Sequence, residues 1–214
     1  MVIPKFAMLV LMLAVGIYFY FTMKNSLLIK ALCSTAVFTY ALSGAFGVSG
    51  NPVFRFLMAG GLLCCLIGDI VISFSFISGM AAFAAAHVCF ITGFIMLGLF
   101  SPPGAPLGIF FILFITALYA ILKLNMVKME LKTAACIYAA LLTFMTSVAV
   151  CAPARCGLST WSAALALGSV LFLASDTLLA LMTTGKHSEV LDYISLPAYY
   201  LAISLFAQSV NCPI

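Results

Sequence analysis

Residues 62–74 read LLCCLIGDIVISF, and residues 167–181 read LGSVLFLASDTLLAL. Each stretch is apolar enough to lie inside a lipid bilayer, and each carries one aspartate, Asp69 or Asp176, directly after a small residue. An ionisable side chain inside a membrane segment is costly and persists mainly where it faces a protein interior or a water-filled cavity. The two stretches therefore predict membrane helices, and they mark both aspartates as candidates for one functional site.

The composition extends the membrane prediction to the whole chain. Of its 214 residues 66% are apolar and 7% are charged, and the mean hydropathy is +1.30. Segments of about 20 apolar residues are long enough to cross a bilayer. Breaks at charges, Pro, Gly and Asn predict spans at residues 3–22, 26–46, 54–76, 79–99, 106–122, 133–152, 158–182 and 192–211. We therefore expect an all-α, polytopic membrane helix bundle with eight transmembrane helices, forming a single integral membrane domain over residues 1–214.

The basic residues predict how the bundle is oriented. Six of them lie at the turns after spans 1, 5 and 7, namely Lys24, Lys30, Lys123, Lys128, Lys132 and Lys186. The other three, Lys5, Arg55 and Arg155, lie on the opposite side. The positive-inside rule then places both termini outside the cytoplasm, as in a multi-pass protein of a bacterial inner membrane. These topology residues explain the net charge of +4. Neither a nucleic acid nor an obligate protein partner is indicated.

Several polar side chains share one predicted depth. Counted from the cytoplasmic ends at about 1.5 Å per residue, Asp69 and Asp176 lie about 10 and 9 Å deep. The same rise places Lys30 about 6 Å deep, His87 about 12 Å, and Tyr199 and Tyr200 about 10 to 12 Å. Gln208 falls near the opposite side. This layer predicts an active site that faces the cytoplasm.

Each of these side chains also has a structural interpretation. A buried aspartate can bond neighbouring hydroxyl or lysine groups and fix helix packing. His87 follows Ala84, Ala85 and Ala86 on a helix suited to close packing, and Lys30 can extend to the lipid headgroups. The tyrosines can belong to an interfacial belt. The sequence leaves these alternatives open.

The spacing of the aspartates suggests an internal repeat. Asp69 and Asp176 stand 107 residues apart, each in the third helix of a four-helix half. An even number of spans in each half would give parallel halves, at about residues 1–105 and 106–214. This duplication stays a hypothesis, because similarity around the two sites hardly extends beyond a small residue, the aspartate and an apolar run.

The sequence lacks the residue patterns that are usual for metal sites and for catalytic nucleophiles. Cys64 and Cys65 are adjacent rather than spaced as ligands, and of the two histidines His187 is expected in a loop. We therefore expect no metal site and no cofactor. The chain also lacks the common serine hydrolase, zinc protease and phosphate-loop motifs. Cys151, Cys156 and Cys212 fall on the predicted outer side, where a disulfide is permitted but not specified.

Two carboxylates in an apolar surrounding can divide the roles of acid and base. One holds a proton while the other is ionised, so that a proton can be delivered to one atom while a water is activated for another. Hydrolysis through an oxocarbenium-like state needs such a pair and neither metal nor nucleophile. A pair at membrane depth implies a lipid substrate.

Two longer stretches resemble a known family. Residues 60–94, GGLLCCLIGDIVISFSFISGMAAFAAAHVCFITGF, are similar to the first signature of YhhN-type lysoplasmalogenases, and residues 166–181 with 196–208, ALGSVLFLASDTLLAL and LPAYYLAISLFAQ, are similar to the second. The resemblance covers essentially the whole chain. It implies an eight-helix hydrolase that takes lysoplasmalogen, a lysophospholipid, from the bilayer and cleaves its vinyl-ether bond to a fatty aldehyde and a glycerophospho-base. It also implies catalytic roles for Asp69 and Asp176, with support from Lys30, His87, Tyr199, Tyr200 and Gln208.

Two other classes remain as alternatives. An intramembrane aspartyl protease also uses two membrane aspartates, but the chain reads Leu66-Ile67-Gly68-Asp69 and so lacks the first glycine of the Gly-x-Gly-Asp pattern. A proton-coupled lipid or solute transporter would use titrating carboxylates as well. Neither aspartate-bearing span shows the proline interruption that is frequent at transport sites.

Overall fold

The structure is a computed structural model that describes residues 2–23, 26–100, 104–123, 129–182 and 189–213. Within these ranges the chain forms helices and no strands. The α-helices are α1 (Val2–Thr22), α2 (Leu27–Gly47), α3 (Pro52–Val71), α4 (Phe76–Met96), α5 (Ala105–Leu122), α6 (Lys132–Val150), α7 (Ala152–Cys156), α8 (Thr160–Met182) and α9 (Glu189–Asn211). A 3₁₀ turn at Met129–Leu131 leads into α6.

Eight helical segments of the described residues are long and apolar enough to cross a membrane, and the sixth of them, Met129–Cys156, contains both α6 and the short α7. This confirms the prediction of an all-α bundle with eight spans. The lysine positions Lys24, Lys128 and Lys186, and also His187, lie outside the described residues.

The turn between α3 and α4 differs from its prediction. The third span was predicted to run to residue 76, but α3 ends at Val71 and α4 begins at Phe76. Ser75 adopts an extended conformation and its side chain accepts a hydrogen bond from the Ser78 amide, which caps α4. The hydrophobic pattern continued through the turn because Ile72 and Phe74 are apolar. Asp69 is therefore close to the end of α3.

The helices pack as neighbouring antiparallel pairs around α9. The most extensive contacts join α8 with α9 and α3 with α4, and α9 also packs against α1, α2 and α3. Gly168 permits the α8–α9 contact, because a Cβ atom at this position would lie 3.0 Å from the Phe206 ring. On the other side of the bundle α6 contacts α4 and α8, while α5 packs along α6. This arrangement brings the inner faces of α2, α3, α8 and α9 together.

Arg55 ties the bundle together at the end that carries the α2–α3 connection. The residue is 1% exposed, and its guanidinium donates hydrogen bonds to the carbonyls of Ser49 at 2.6 Å, Cys212 at 3.1 Å and Val210. These acceptors include carbonyl groups near the end of α9, which have no partner inside the helix. Arg55 was counted as a topology charge in the sequence, but in the structure it is a buried cap.

The cysteines are free thiols in the structure. Cys151 and Cys212 are buried and Cys156 is exposed. The disulfide that the sequence left open is therefore not formed in this structure.

Candidate active site

Asp69 lies at the convergence of α2, α3 and α9. Its carboxylate is 1% exposed, and the Lys30 ammonium approaches Oδ1 to 3.2 Å. Oδ2 accepts hydrogen bonds from the Ser34 hydroxyl at 2.5 Å and the Tyr199 hydroxyl at 2.7 Å. A carboxylate buried in this way is stabilised by its cation and its hydroxyl donors.

The spacing of residues along α2 explains how two of the Asp69 partners reach the carboxylate. Lys30 and Ser34 are four residues apart on α2, so both side chains lie on the face that α3 covers. Tyr200 strengthens this arrangement, since its hydroxyl donates to the Lys30 carbonyl at 2.9 Å and lies 3.2 Å from the Ser34 hydroxyl. The Tyr199 phenol reaches Asp69 because side chains on a helix lean toward its N-terminus. Thus α9 supplies both tyrosines to the same site.

Gly68 allows α4 to approach the aspartate closely. A Cβ atom at position 68 would lie 3.0 Å from the Phe83 ring. Phe83 in turn packs edge-on against Tyr199, with ring centroids 5.8 Å apart, and Phe172 packs against the same tyrosine at 5.6 Å. The apolar rings hold the Tyr199 phenol in position toward Asp69. The small residue before the aspartate therefore has a packing role.

Asp176 is partly buried on α8 and is held from a different helix. The Tyr138 hydroxyl of α6 donates a hydrogen bond to its Oδ2 atom. The adjacent Ser175 hydroxyl donates to the Ser195 carbonyl at 3.0 Å, and the Ser195 hydroxyl donates to the Ser175 carbonyl at 3.1 Å. These reciprocal bonds fix α8 against α9 at the level of Asp176. Each aspartate therefore has a tyrosine donor, Tyr199 for one and Tyr138 for the other.

Both aspartates line one cavity of about 150 Å³, here called the polar cavity. Its other polar lining includes Tyr20, Lys30, Asp192 and Tyr199. The two carboxylates lie within electrostatic range of each other. The structure thus brings together the two aspartates that the sequence marked as one site.

A second cavity of about 270 Å³ adjoins the first and is here called the apolar cavity. It is lined mainly by hydrocarbon side chains from α4, α5, α6 and α8. The two cavities share the lining residues Ile72, Phe83, Asp176 and Leu179. Asp176 therefore stands at the junction between a polar space and an apolar space.

Two predicted site residues lie elsewhere. His87 is fully buried between the rings of Tyr138 and Phe172, and its Nδ1 lies 2.6 Å from the Phe83 carbonyl, which identifies Nδ1–H as the donor. Among the described residues it lines neither cavity, and its Nε2 has no hydrogen-bond partner. Gln208 accepts a hydrogen bond from the Tyr40 hydroxyl at 2.6 Å, toward the Arg55 end of α9. Both residues hold helices together, and any catalytic role for them stays a prediction.

Sequence reasoning missed three polar side chains of the site. Tyr138, Tyr20 and Asp192 contact Asp176 or line the polar cavity. Tyrosines are common near membrane interfaces, and Asp192 stands near the start of its helix, so none of the three differed from ordinary rim residues in the sequence. Among the described residues no group of three or more His, Cys, Asp or Glu side chains is close enough to hold a metal ion.

Comparison with known proteins identifies the family. The family model of the YhhN family matches residues 25–210, a range that includes α2 to α8 and all of α9 except its last residue. Searches among curated proteins and among solved structures gave no match. The matched range contains both aspartates and the polar groups that hold them. The chain therefore belongs to the YhhN family, which includes lysoplasmalogenases.

Proposed function

We propose that the protein hydrolyses the vinyl-ether bond of lysoplasmalogens and releases a fatty aldehyde and a glycerophospho-base. One observation carries the proposal. The two aspartates line a single polar cavity that adjoins an apolar cavity at Asp176. This is the arrangement that an acid–base pair needs for a bond lying between a hydrocarbon chain and a polar headgroup.

The shape of the paired cavities suits a lipid with one chain. A lysoplasmalogen carries a single alkenyl chain, and its vinyl ether joins that chain to the glycerol. With the chain in the apolar cavity and the glycerol in the polar cavity, the vinyl ether would lie at the junction, beside Asp176. Ligand sites of this kind are mostly apolar, with a few polar groups that fix the orientation.

The surroundings of the aspartates suggest different roles. Asp69 faces the Lys30 ammonium and accepts two hydroxyl hydrogen bonds, which favours its ionised form. Asp176 accepts its hydrogen bond from Tyr138 on Oδ2, so that Oδ1 can carry a proton. We assign Asp176 as the acid and Asp69 as the base that also stabilises positive charge.

The reaction then follows in three steps. Asp176 donates its proton to the vinyl carbon beta to oxygen, and the ether oxygen shares the resulting positive charge as an oxocarbenium ion. A water adds to the carbon that bears oxygen, losing its proton to Asp69, and the hemiacetal breaks to aldehyde and glycerol hydroxyl. In this breakdown Asp69 gives its proton to the glycerol oxygen and Asp176 takes the proton of the hemiacetal hydroxyl, so the catalytic pair returns to its starting protonation state.

The test is aldehyde release by purified protein in detergent with lysoplasmalogen. We expect aldehyde from the wild type and none above background from the Asp69→Asn/Asp176→Asn double variant. In heavy water, aldehyde trapped at once by reduction should carry one deuterium at carbon 2. In ¹⁸O water, the label should appear in the aldehyde.

Other outcomes would contradict this proposal. Label in the glycerol hydroxyl would mean attack at another atom and would exclude the mechanism. Cleavage of a membrane peptide without aldehyde release would favour an aspartyl protease. Proton-driven lipid movement in sealed liposomes without hydrolysis would favour a transporter.

A further inference from the structure

The apolar cavity reaches the surface of the bundle at two threonines. Of the residues that line it, Thr116 on α5 and Thr177 on α8 are the two that are exposed. They lie about 9 Å and about 8 Å from the ends of their helices, Leu122 and Met182. Asp176, the neighbour of Thr177, lines the same cavity. The cavity therefore opens on the side of the bundle, at about the depth of Asp176.

The packing of α5 leaves room for this opening between α5 and α8. Among the described residues α5 packs along α6, and it makes no contact of similar extent with α8 or α4. Nearer the helix ends, Ile121 of α5 and Ala139 of α6 form a small apolar cluster, against which Ala180 of α8 packs. This cluster separates the opening from the end of the bundle. The opening therefore faces the hydrocarbon of a bilayer and not the water beyond it.

The two threonines present little polarity to a ligand. The Thr116 hydroxyl donates a hydrogen bond to the Ile112 carbonyl at 2.7 Å, and the Thr177 hydroxyl donates to the Leu173 carbonyl at 2.7 Å. Each hydroxyl is satisfied within its own helix. A hydrocarbon chain can therefore lie between the two residues without depriving either hydroxyl of its partner.

The apolar cavity is too short for the whole chain of a membrane lipid. Tyr138 marks the level of Asp176 on α6, and the lining residue of α6 farthest from the site is Thr143, five residues farther along the helix. This distance is about 7.5 Å. Three bonds of an extended chain span about 3.4 Å, so the depth holds about six carbons. One leaflet of hydrocarbon is about 15 Å thick and takes about twice as many.

We propose that the opening at Thr116 and Thr177 is a lateral portal, through which the far part of the lipid chain extends from the apolar cavity into the bilayer. The occupant is the single hydrocarbon chain of the lysolipid, and the placement of its first carbons beside Asp176 rests on the proposed function. The lipid enters sideways through this portal, so its chain never has to pass through water. The site then does not select among chains longer than about six carbons. A cavity that held the whole chain would discriminate at every added carbon.

Closing the portal tests the proposal with vinyl-ether lysolipids of about four and about sixteen carbons. In Thr116→Trp and in Thr177→Trp, kcat/KM for the long lipid should fall about tenfold or more, as expected when about two methylene groups lose their place. The short lipid fits inside the cavity and should react as it does with the wild type. Thr39→Trp is the matched control, because Thr39 is exposed on α2, bonds to the Ala36 carbonyl of its own helix and lines neither cavity. Equal losses for both lipids, or no loss for either, would overturn the portal.

Photolabelling of the wild type separates this inference from the reaction and does not depend on how the variants fold. The probe is a saturated alkyl-ether lysolipid, which cannot be hydrolysed as a vinyl ether, with a diazirine either near the ether or at the end of the chain. We expect the chain-end probe to label α5 and α8 around Thr116 and Thr177, the other probe to label cavity residues such as Tyr138, and unlabelled lysolipid to suppress both.

The outcomes distinguish the two proposals. If the wild type releases no aldehyde yet shows this pattern of labels, the proposed function fails and the portal stands. Aldehyde release together with chain-end labels spread over the outer faces of all helices would leave the function and overturn the portal. Labels that unlabelled lysolipid does not suppress would overturn it as well.

Discussion

At the scale of single residues, the two aspartates differ in what surrounds them. Asp69 is almost fully buried and is paired with Lys30, whereas Asp176 is partly buried and adjoins the apolar cavity. Removing the charge of Asp69 leaves Lys30 without its partner. Replacing the Asp176 carboxyl by an amide leaves the Tyr138 donor with an amide oxygen that can still accept its hydrogen bond. The consequences for stability should therefore differ even where the consequences for catalysis agree.

We predict that Asp69→Asn and Asp176→Asn each lower turnover at least about a hundredfold, because an amide cannot exchange the proton. Asp69→Asn should also lower the free energy of unfolding by about 1–3 kcal/mol, while Asp176→Asn leaves it nearly unchanged. The double variant should be little slower than either single variant, since groups that act as a unit are not additive. Aldehyde release and unfolding in detergent measure both effects. Near-normal turnover in either single variant would return that aspartate to a structural role.

Tyr138 gives a second prediction at this scale. Tyr138→Phe removes the donor to Asp176 and should lower kcat between about tenfold and a hundredfold, because a small misplacement of a catalytic group has effects of this size. KM should change little if Tyr138 positions the acid without binding the lipid. Tyr119→Phe is the matched control, since Tyr119 is 58% exposed on α5. Equal rates in the two variants would show that Asp176 does not need this hydrogen bond.

At this scale, the sequence predicted contacts correctly where a shared depth in the membrane is enough to bring side chains together. Lys30, Asp69 and Tyr199 were expected in one layer, and they form a direct network. His87 was placed in the same layer, but α4 begins at Phe76, so His87 lies about 16 Å from the helix start. His87 therefore packs farther from the start of α4 than the polar cavity lies. Tyr138 could not be found, because nothing in the sequence indicates that α6 packs beside α8.

At the scale of the elements, helix ends decide the geometry of the site. The eight spans were predictable because each contains enough apolar residues to cross a bilayer. The end of α3 was not predictable, since the apolar residues of the turn resemble those of the helix that precedes them. Both aspartate-bearing helices, α3 and α8, pack closely against the helix that follows them. This similarity agrees with the suggested repeat of two parallel halves, which stays a hypothesis.

Arg55 supplies the prediction at this scale. Arg55→Met leaves buried carbonyl groups of the α2–α3 connection and of the α9 end without their charged donor. We expect the free energy of unfolding to fall by about 3 kcal/mol, the size of effect associated with charge-assisted hydrogen bonds that are lost in a buried site. Unfolding in mixed detergent micelles measures it. Arg155→Met, at an exposed position on α7, is the control and should change stability little. Equal losses in both variants would contradict the capping role.

At the scale of the whole molecule, the site lies at one end of the helix bundle. The polar cavity lies at the end of the bundle where α1 joins α2, α3 joins α4 and α8 joins α9. Arg55, α7 and the end of α9 lie at the other end. The excess of lysines near the first set of connections predicts that the cavity opens to the cytoplasm. The lysolipid would then come from the inner leaflet.

Cysteine labelling tests this orientation in intact cells that express the protein. Cys156 is an exposed thiol beside Arg155, so a membrane-impermeant maleimide should label it from outside. In a Cys156→Ser background, a cysteine placed by Lys123→Cys at the exposed end of α5 should react only after the membrane is permeabilised. Cys212 is buried and should stay unlabelled in both cases, which controls for unfolded protein. Labelling at position 123 but not at 156 would invert the topology, and the catalytic pair would then draw its substrate from the outer leaflet.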